Sequence, residues 1–350
     1  DIIMLQLYPD RFILLPQNIR FCLDNNPLLK YYFLMTKTII RGWERRITFN
    51  LTIIILISAT LFYPEILLAD WPIGFGESMD LNYAGASYEY RPSDDFESSL
   101  YSLSSRYNIV KIKDYNISAS LMAEYRHTNS SGYFPDDLYK TAFSLRADDK
   151  KNWISIAVVS NSDMPYNSLD EASIVASAGR KISLTEGHSL IAGLFYSSQR
   201  DVLEGIPMPM IMYEYKDEDL YLLGGFLFLS VRWKINDKTS INASYFPIRN
   251  YNLGVSYKIT EALTASAEVR GKSERYLLED RSNKSEKLFL EINEAGIRLS
   301  QRIVKGLVVY GFAGYSFGSS YYKGDKINRK NDKVEIEDSM ILNAGARYLF

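Results

Sequence analysis

Cysteine and histidine are nearly missing from this chain: of its 350 residues, one is Cys and two are His. A single Cys excludes a disulfide framework and a cysteine-rich zinc centre. Two His leave little for metal ligation or acid–base work, so composition argues against most enzyme classes that depend on Cys or His, and no metal or cofactor is expected. Net charge is scarce too. Lys and Arg number 40 against 42 Asp and Glu, a formal charge of -2. That balance gives no case for a nucleic-acid partner. The longest apolar run, Leu51–Tyr63, falls short of the roughly 20 residues that a spanning helix needs. What is present is a 47% hydrophobic, 23% charged composition, which excludes global disorder. The aromatics are weighted to tyrosine, with 27 Tyr, 17 Phe and 4 Trp.

The apolar run sits in a recognisable frame. Lys37, Arg41, Arg45 and Arg46 precede it, opposed only by Glu44, and Pro64 and Leu67-Leu68-Ala69-Asp70 follow it. A basic segment, a short apolar core and a small residue predict a secretory signal peptide, cleaved near Ala69–Asp70. Met35 is the expected start. On this reading 1–34 is a spurious or disordered extension, 35–69 the signal peptide and 70–350 the exported domain. Cys22 is then lost, and with it any lipoprotein acylation site. The competing reading is an uncleaved anchor, which Pro64 and Glu65 interrupt.

The exported part alternates with period two. In Tyr115-Asn116-Ile117-Ser118-Ala119-Ser120-Leu121-Met122-Ala123-Glu124-Tyr125-Arg126 the odd positions are apolar or aromatic and the even ones mostly polar. That is a strand with two unlike faces, whereas a helix needs period 3.6. The pattern recurs through Tyr101–Ile109, Leu227–Ile235, Tyr251–Ile259, Leu263–Val269 and Met340–Phe350. Short turns are expected at Lys113-Asp114, Asp148–Lys151, Thr185–Gly187, Lys216–Asp219, Asn236–Lys238, Thr260–Ala262 and Val304–Gly306. Longer polar segments, such as His127–Asp137, Asn161–Glu171, Lys272–Ser285 and Lys323–Glu335, fall between them. Alternating short and long connections predict an all-β fold: an up-and-down antiparallel transmembrane β-barrel of about 12–16 strands, with 209–216 and 219–225 the weakest. A soluble barrel of this size would need an unusually wide apolar core. The export signal, the tyrosines near strand ends and the last strand favour the membrane, so the expected location is the outer membrane of a Gram-negative bacterium. The expected surroundings are its lipid and lipopolysaccharide. The pattern sets no oligomeric state.

Met340, Leu342, Ala344, Ala346, Tyr348 and Phe350 resemble the closing strand of bacterial outer-membrane β-barrels, which ends on an aromatic residue. The resemblance implies that Tyr348 and Phe350 are the signal read by the barrel assembly machinery. A narrower likeness lies in Gly205-Ile206-Pro207-Met208-Pro209, Tyr213-Glu214-Tyr215, Gly224-Gly225-Phe226, Val231-Arg232-Trp233 and Tyr245-Phe246-Pro247. It is similar to an uncharacterised outer-membrane barrel family known as a domain of unknown function, and it implies fold and location without an activity.

If the apolar residues face lipid, their neighbours face the lumen. The lumen-lining candidates are Arg106, Glu124, Arg126, Arg146, Arg232, Lys234, Lys258, Glu268, Arg270 and Arg347, with Lys140 beside them. A surplus of bases favours anions in a pore; the alternative is that they pair with acids of infolded loops such as Asp136, Asp137, Asp163 or Glu279. The expectation is a passive, porin-like channel for small solutes rather than an enzyme, with a structural or assembly-related barrel lacking an open pore as the alternative. A hydrolase using His127, near Thr128, Asn129, Ser130 and Ser131, is the less favoured third reading; His188 belongs to the short-turn end. The charged segment around Lys323–Asp338 is expected to be a solvated loop tip.

Overall fold

A computed structural model describes residues 2–8, 11–16, 82–149, 151–199, 205–225, 228–246, 250–281, 283–325 and 330–350. The chain divides into two units, Asp1–Tyr63 and Pro64–Phe350. In the first, β1 (Ile2–Tyr8) and β2 (Arg11–Pro16) pair as an antiparallel hairpin. The segment expected to be a signal peptide lies outside the described residues.

The second unit is a closed antiparallel barrel. Its strands are β3 (Tyr83–Arg91), β4 (Phe96–Ile112), β5 (Tyr115–Ser130), β6 (Asp137–Asp148), β7 (Asn152–Ser162), β8 (Ala172–Thr185) and β9 (His188–Ser197). They continue with β10 (Met208–Lys216), β11 (Leu220–Gly225), β12 (Phe228–Lys234), β13 (Thr239–Phe246), β14 (Asn250–Lys258), β15 (Leu263–Tyr276) and β16 (Lys287–Val304). The last are β17 (Leu307–Ser316), β18 (Ser319–Gly324), β19 (Asn331–Ile336) and β20 (Ser339–Leu349). Strand β16 pairs with β17 below and β18 above, so β17 and β18 are one broken strand. β19 and β20 are the last, broken at Glu337-Asp338. The ring therefore has sixteen staves. It closes where β20 pairs with β3, Leu349 opposite Tyr83.

The two faces of each strand part as the alternation demands. Apolar side chains point out and stay exposed: Ile154 at 60%, Ile297 at 59%, Met340 at 58%. Such a surface is stable only against hydrocarbon, and closure leaves no unpaired edge within it, so the barrel is a transmembrane one. The turns at one end form from their own side chains. Asp217 Oδ1 accepts from the Asp219 and Leu220 amides, Asn236 Oδ1 from Lys238 and Thr239, and Thr260 Oγ1 from Ala262 and Leu263. These are the bonds by which Asx and Ser/Thr turns are made. Gly187, at φ 72°, and Gly306, at φ 88°, complete two-residue turns in the left-handed region.

The seven expected short turns all connect strands at this end. At the opposite end the connections are uneven. Residues 131–136, 163–171, 198–207, 277–286 and 325–330 are the longer ones, while 92–95, 226–227 and 247–249 are short. Several segments read as loops are strand: β5 runs to Ser130, β15 to Tyr276, and Asn331–Ile336 is β19. The tip expected to be solvated is thus largely sheet. Backbone pairing with a neighbouring stave outweighs the polar composition of these segments.

Candidate functional site

A ring of sixteen strands about 4.8 Å apart and tilted by about 40° is roughly 30 Å across. Staves β7 and β15 stand eight apart in that ring, on opposite sides. Yet the Leu277 amide donates to the Asn161 carbonyl at 2.8 Å. The tips of these strands therefore lean together over the long-loop mouth. Ser160–Ser162 of β7, Ser273–Tyr276 of β15, Lys287–Ile292 of β16 and Ser319–Tyr322 of β18 are buried on both faces. Further bonds tie the two sides: the Glu279 amide to Asp163 Oδ1 at 3.0 Å, Arg281 to the Asp170 carbonyl at 3.0 Å, and Lys284 to Asp170.

Beneath this cap lies an apolar cluster. Phe96, Phe134, Leu138, Tyr276, Leu288, Leu290, Ile292 and Tyr321 pack together, with Leu290 wholly buried. Phe134 and Tyr321 meet edge to face at 5.1 Å. Below the cluster is a layer of charge. Arg126, 1% exposed, reaches across to Glu274 at 2.9 Å, and the Tyr276 hydroxyl donates to the same carboxylate. Arg91 bridges Glu89 and Glu294, each at 2.9 Å, and Arg270 pairs with Glu294 while lying 3.8 Å from Glu89. Lys272 reaches Glu274 at 3.0 Å and Lys140 lies 3.8 Å from Glu124. Among the described residues, Nε and Nη1 of Arg126 have no hydrogen-bond partner.

The ten candidates all lie on the face opposite the apolar exterior, at different depths. Arg126 and Arg270 join the charge layer, with Glu124 at its edge. Lower down, Glu268 takes a two-pronged bond from Arg298, at 2.8 and 3.0 Å. Arg146 pairs with Asp148 at 3.0 Å, Arg232 lies over the Tyr221 ring and Arg347 over Tyr83. Arg106 is half-buried, its Nε without a hydrogen-bond partner among the described residues. Lys234 and Lys258 reach water at the short-turn end and meet the turn acids Asp237 and Glu261.

Two expectations change. The acids that meet Arg126, Arg146 and Arg270 belong to strands and not to infolded loops: Asp137 instead holds Tyr125 and His127. Nor are inward acids few, because Glu89, Glu274 and Glu294 also face the interior. The signal for Glu89 and Arg91 was their alternation with Tyr88 and Tyr90. Glu274 was hidden in a segment read as a polar loop.

His188 lies beside the Tyr213 hydroxyl and packs on Tyr215 at 4.8 Å. Among the described residues no group of three His, Cys, Asp or Glu side chains is placed to hold a metal ion.

The apolar exterior and closed antiparallel ring are the β-architecture of the bacterial outer membrane, and that is where this barrel resides. No family model matches the chain, and no curated protein matches its sequence. The likeness at Gly205–Pro209 and its companion segments thus rests on those residues alone. Among solved structures the chain is similar to an outer membrane channel from Pseudomonas putida F1, with 7% identity, TM-score 0.38, and 80% of this chain and 100% of that chain covered. It is also similar to a Rh. blastica porin variant, with 13% identity, TM-score 0.30, and 77% and 99% covered. OmpT of Vibrio cholerae shows 8% identity, TM-score 0.32, and 77% and 96% covered. Likenesses this loose carry nothing about cargo.

Proposed function

We propose that this barrel is a conduit for small polar solutes across the outer membrane, held closed at the long-loop mouth by its own strand tips. The observation that carries the reading is the charge layer under the cap. A barrel meant only to be filled would be filled at lower cost by apolar side chains, because desolvating ions costs several kcal/mol each. Ionisable groups kept inside a membrane protein mark a path for polar cargo. Arg91, Arg126, Lys140, Arg270 and Lys272 face Glu89, Glu124, Glu274 and Glu294, so the interior is near balance and its charge selectivity is weak. Bacterial lipid and lipopolysaccharide surround the barrel. Tyr348 and Phe350, stacked at 5.8 Å on the closing strand's outer face, serve as its assembly signal.

Planar-bilayer recording of the refolded protein tests this. Wild type gives rare openings, and weakening the Arg126–Glu274 bridge makes them frequent. Silence in wild type and in bridge variants alike refutes the conduit and favours the barrel with no open pore.

A further inference from the structure

Two rows of side chains meet on the outer face of β3–β6 at the long-loop end. The lower row is Tyr88, Tyr101, Tyr125 and Tyr139, each opposite the next across adjacent strands. Their rings lie 4.9, 6.0 and 5.1 Å apart. On β5, Tyr125 stands about ten residues above Tyr115, which is about 25 Å of tilted strand, the height of a lipid-facing band. The tyrosine row therefore marks the outer-leaflet interface.

The next row up, on the same face, is Tyr90, Ser99, His127 and Asp137, again in direct register. Three adjacent strands thus present a hydroxyl, an imidazole and a carboxylate in line. His127 Nδ1 lies 3.0 Å from Asp137 Oδ1, and the Tyr125 hydroxyl donates to that same oxygen at 2.7 Å. The carboxylate is held from below and engages one ring nitrogen from the β6 side. Across the ring, β4 supplies Ser99. Directly opposed residues have Cβ atoms about 4.5–5.5 Å apart, within reach of a Ser–His bond. The Tyr88 hydroxyl is 3.2 Å from Ser99 Oγ, a donor beside the nucleophile.

We propose that Ser99, His127 and Asp137 form a serine acyl-hydrolase site that faces the outer leaflet and cleaves carboxylic esters of membrane lipids. A lipid's ester linkages sit between its chains, which flank the tyrosine row, and its headgroup above. Ser99 Oγ adds to the ester carbonyl as His127 Nε2 takes the hydroxyl proton, and Tyr88 donates to the oxyanion. The C–O bond to the alcohol breaks, and His127 returns the proton to the departing alkoxide, leaving an acyl-serine. Water then adds to that acyl group, giving its proton to His127. The bond between the acyl carbon and Ser99 Oγ breaks, His127 gives its proton back to Oγ, and the carboxylic acid departs. Asp137 is a positioning residue that fixes the ring and stabilises the imidazolium. The side chains of His127 and Asp137 are 57% and 49% exposed, so water reaches the site. The lumen plays no part, and the activity stands whether or not the barrel conducts.

The test uses the full chain refolded in mixed micelles of detergent and phosphatidylcholine, with fatty-acid release and p-nitrophenyl butyrate as readouts. Wild type hydrolyses both. S99A and H127A lower kcat at least ~100-fold, and D137N lowers kcat with KM unchanged. A fluorophosphonate labels Ser99 in wild type and not in H127A. Circular dichroism of each variant matches wild type, since the changes lie on the surface. Turnover in wild type no greater than in S99A, or no label at Ser99, overturns the proposal and leaves the row as polar trim of the aromatic girdle.

Discussion

Glu274→Gln is the sharpest test of the closed mouth. The Arg126–Glu274 pair spans the interior with side chains 1% and 7% exposed. Removing one partner of a buried pair costs about 3–5 kcal/mol, because the other charge is left uncompensated. Gln keeps an acceptor for Arg126 and for the Tyr276 hydroxyl, so the lower end, about 3 kcal/mol, applies. That cost falls on the state in which the tips are joined. At about 1.4 kcal/mol per tenfold, the closed-to-open ratio falls by about 10²-fold. Single-channel recording in planar bilayers reads this as a rise in open probability. The double variant Arg126→Met/Glu274→Leu removes the charges together and fills a similar volume, so it is expected to close as well as wild type or better. Unchanged gating in E274Q, or equal leakiness in the double variant, refutes the reasoning.

Leu290→Ala empties part of the wholly buried cluster under the cap and costs about 2–5 kcal/mol, read as faster hydrogen exchange across Lys287–Glu294. Leu121→Arg places a charge on the lipid face between Tyr115 and Tyr125, and lowers stability by about 2–4 kcal/mol in urea titration of the refolded barrel. Asp149, in the β6–β7 turn, accepts from the Asn152 side chain and amide and from the Lys151 amide, which hold its carboxyl down at about 2. Because the folded value lies below the ordinary one near ~3.9, its contribution is full above about pH 4 and is lost between about 4 and 2. Asp149→Ala should remove that segment of the acid-stability curve and leave the curve above pH 5 parallel to wild type.

The alternation of Tyr115–Arg126 told at once that a strand with two unlike faces was present, because period two is a property of the chain itself. The turns were equally legible. Asp217, Asn236 and Thr260 bond to amides two and three residues on, so the signal and the structure it makes are local. What escaped is non-local. Lys287-Leu288-Phe289-Leu290-Glu291-Ile292 does not alternate, which is the mark of a strand buried on two faces. Nothing in those residues says which surfaces will cover them. Glu274 reads as one more polar residue before a loop until β15 is set opposite β7.

The sequence by itself determined the ring, its orientation toward lipid and the end that carries the short turns, since each follows from neighbours along the chain or across one ladder. Only the tertiary structure decided that the tips of β7 and β15 meet, that Arg126 meets Glu274, and that Ser99, His127 and Asp137 share one row. The physical reason is that these contacts join staves whose separation depends on ring closure and register, and a shift of one residue would move every side chain to the other face.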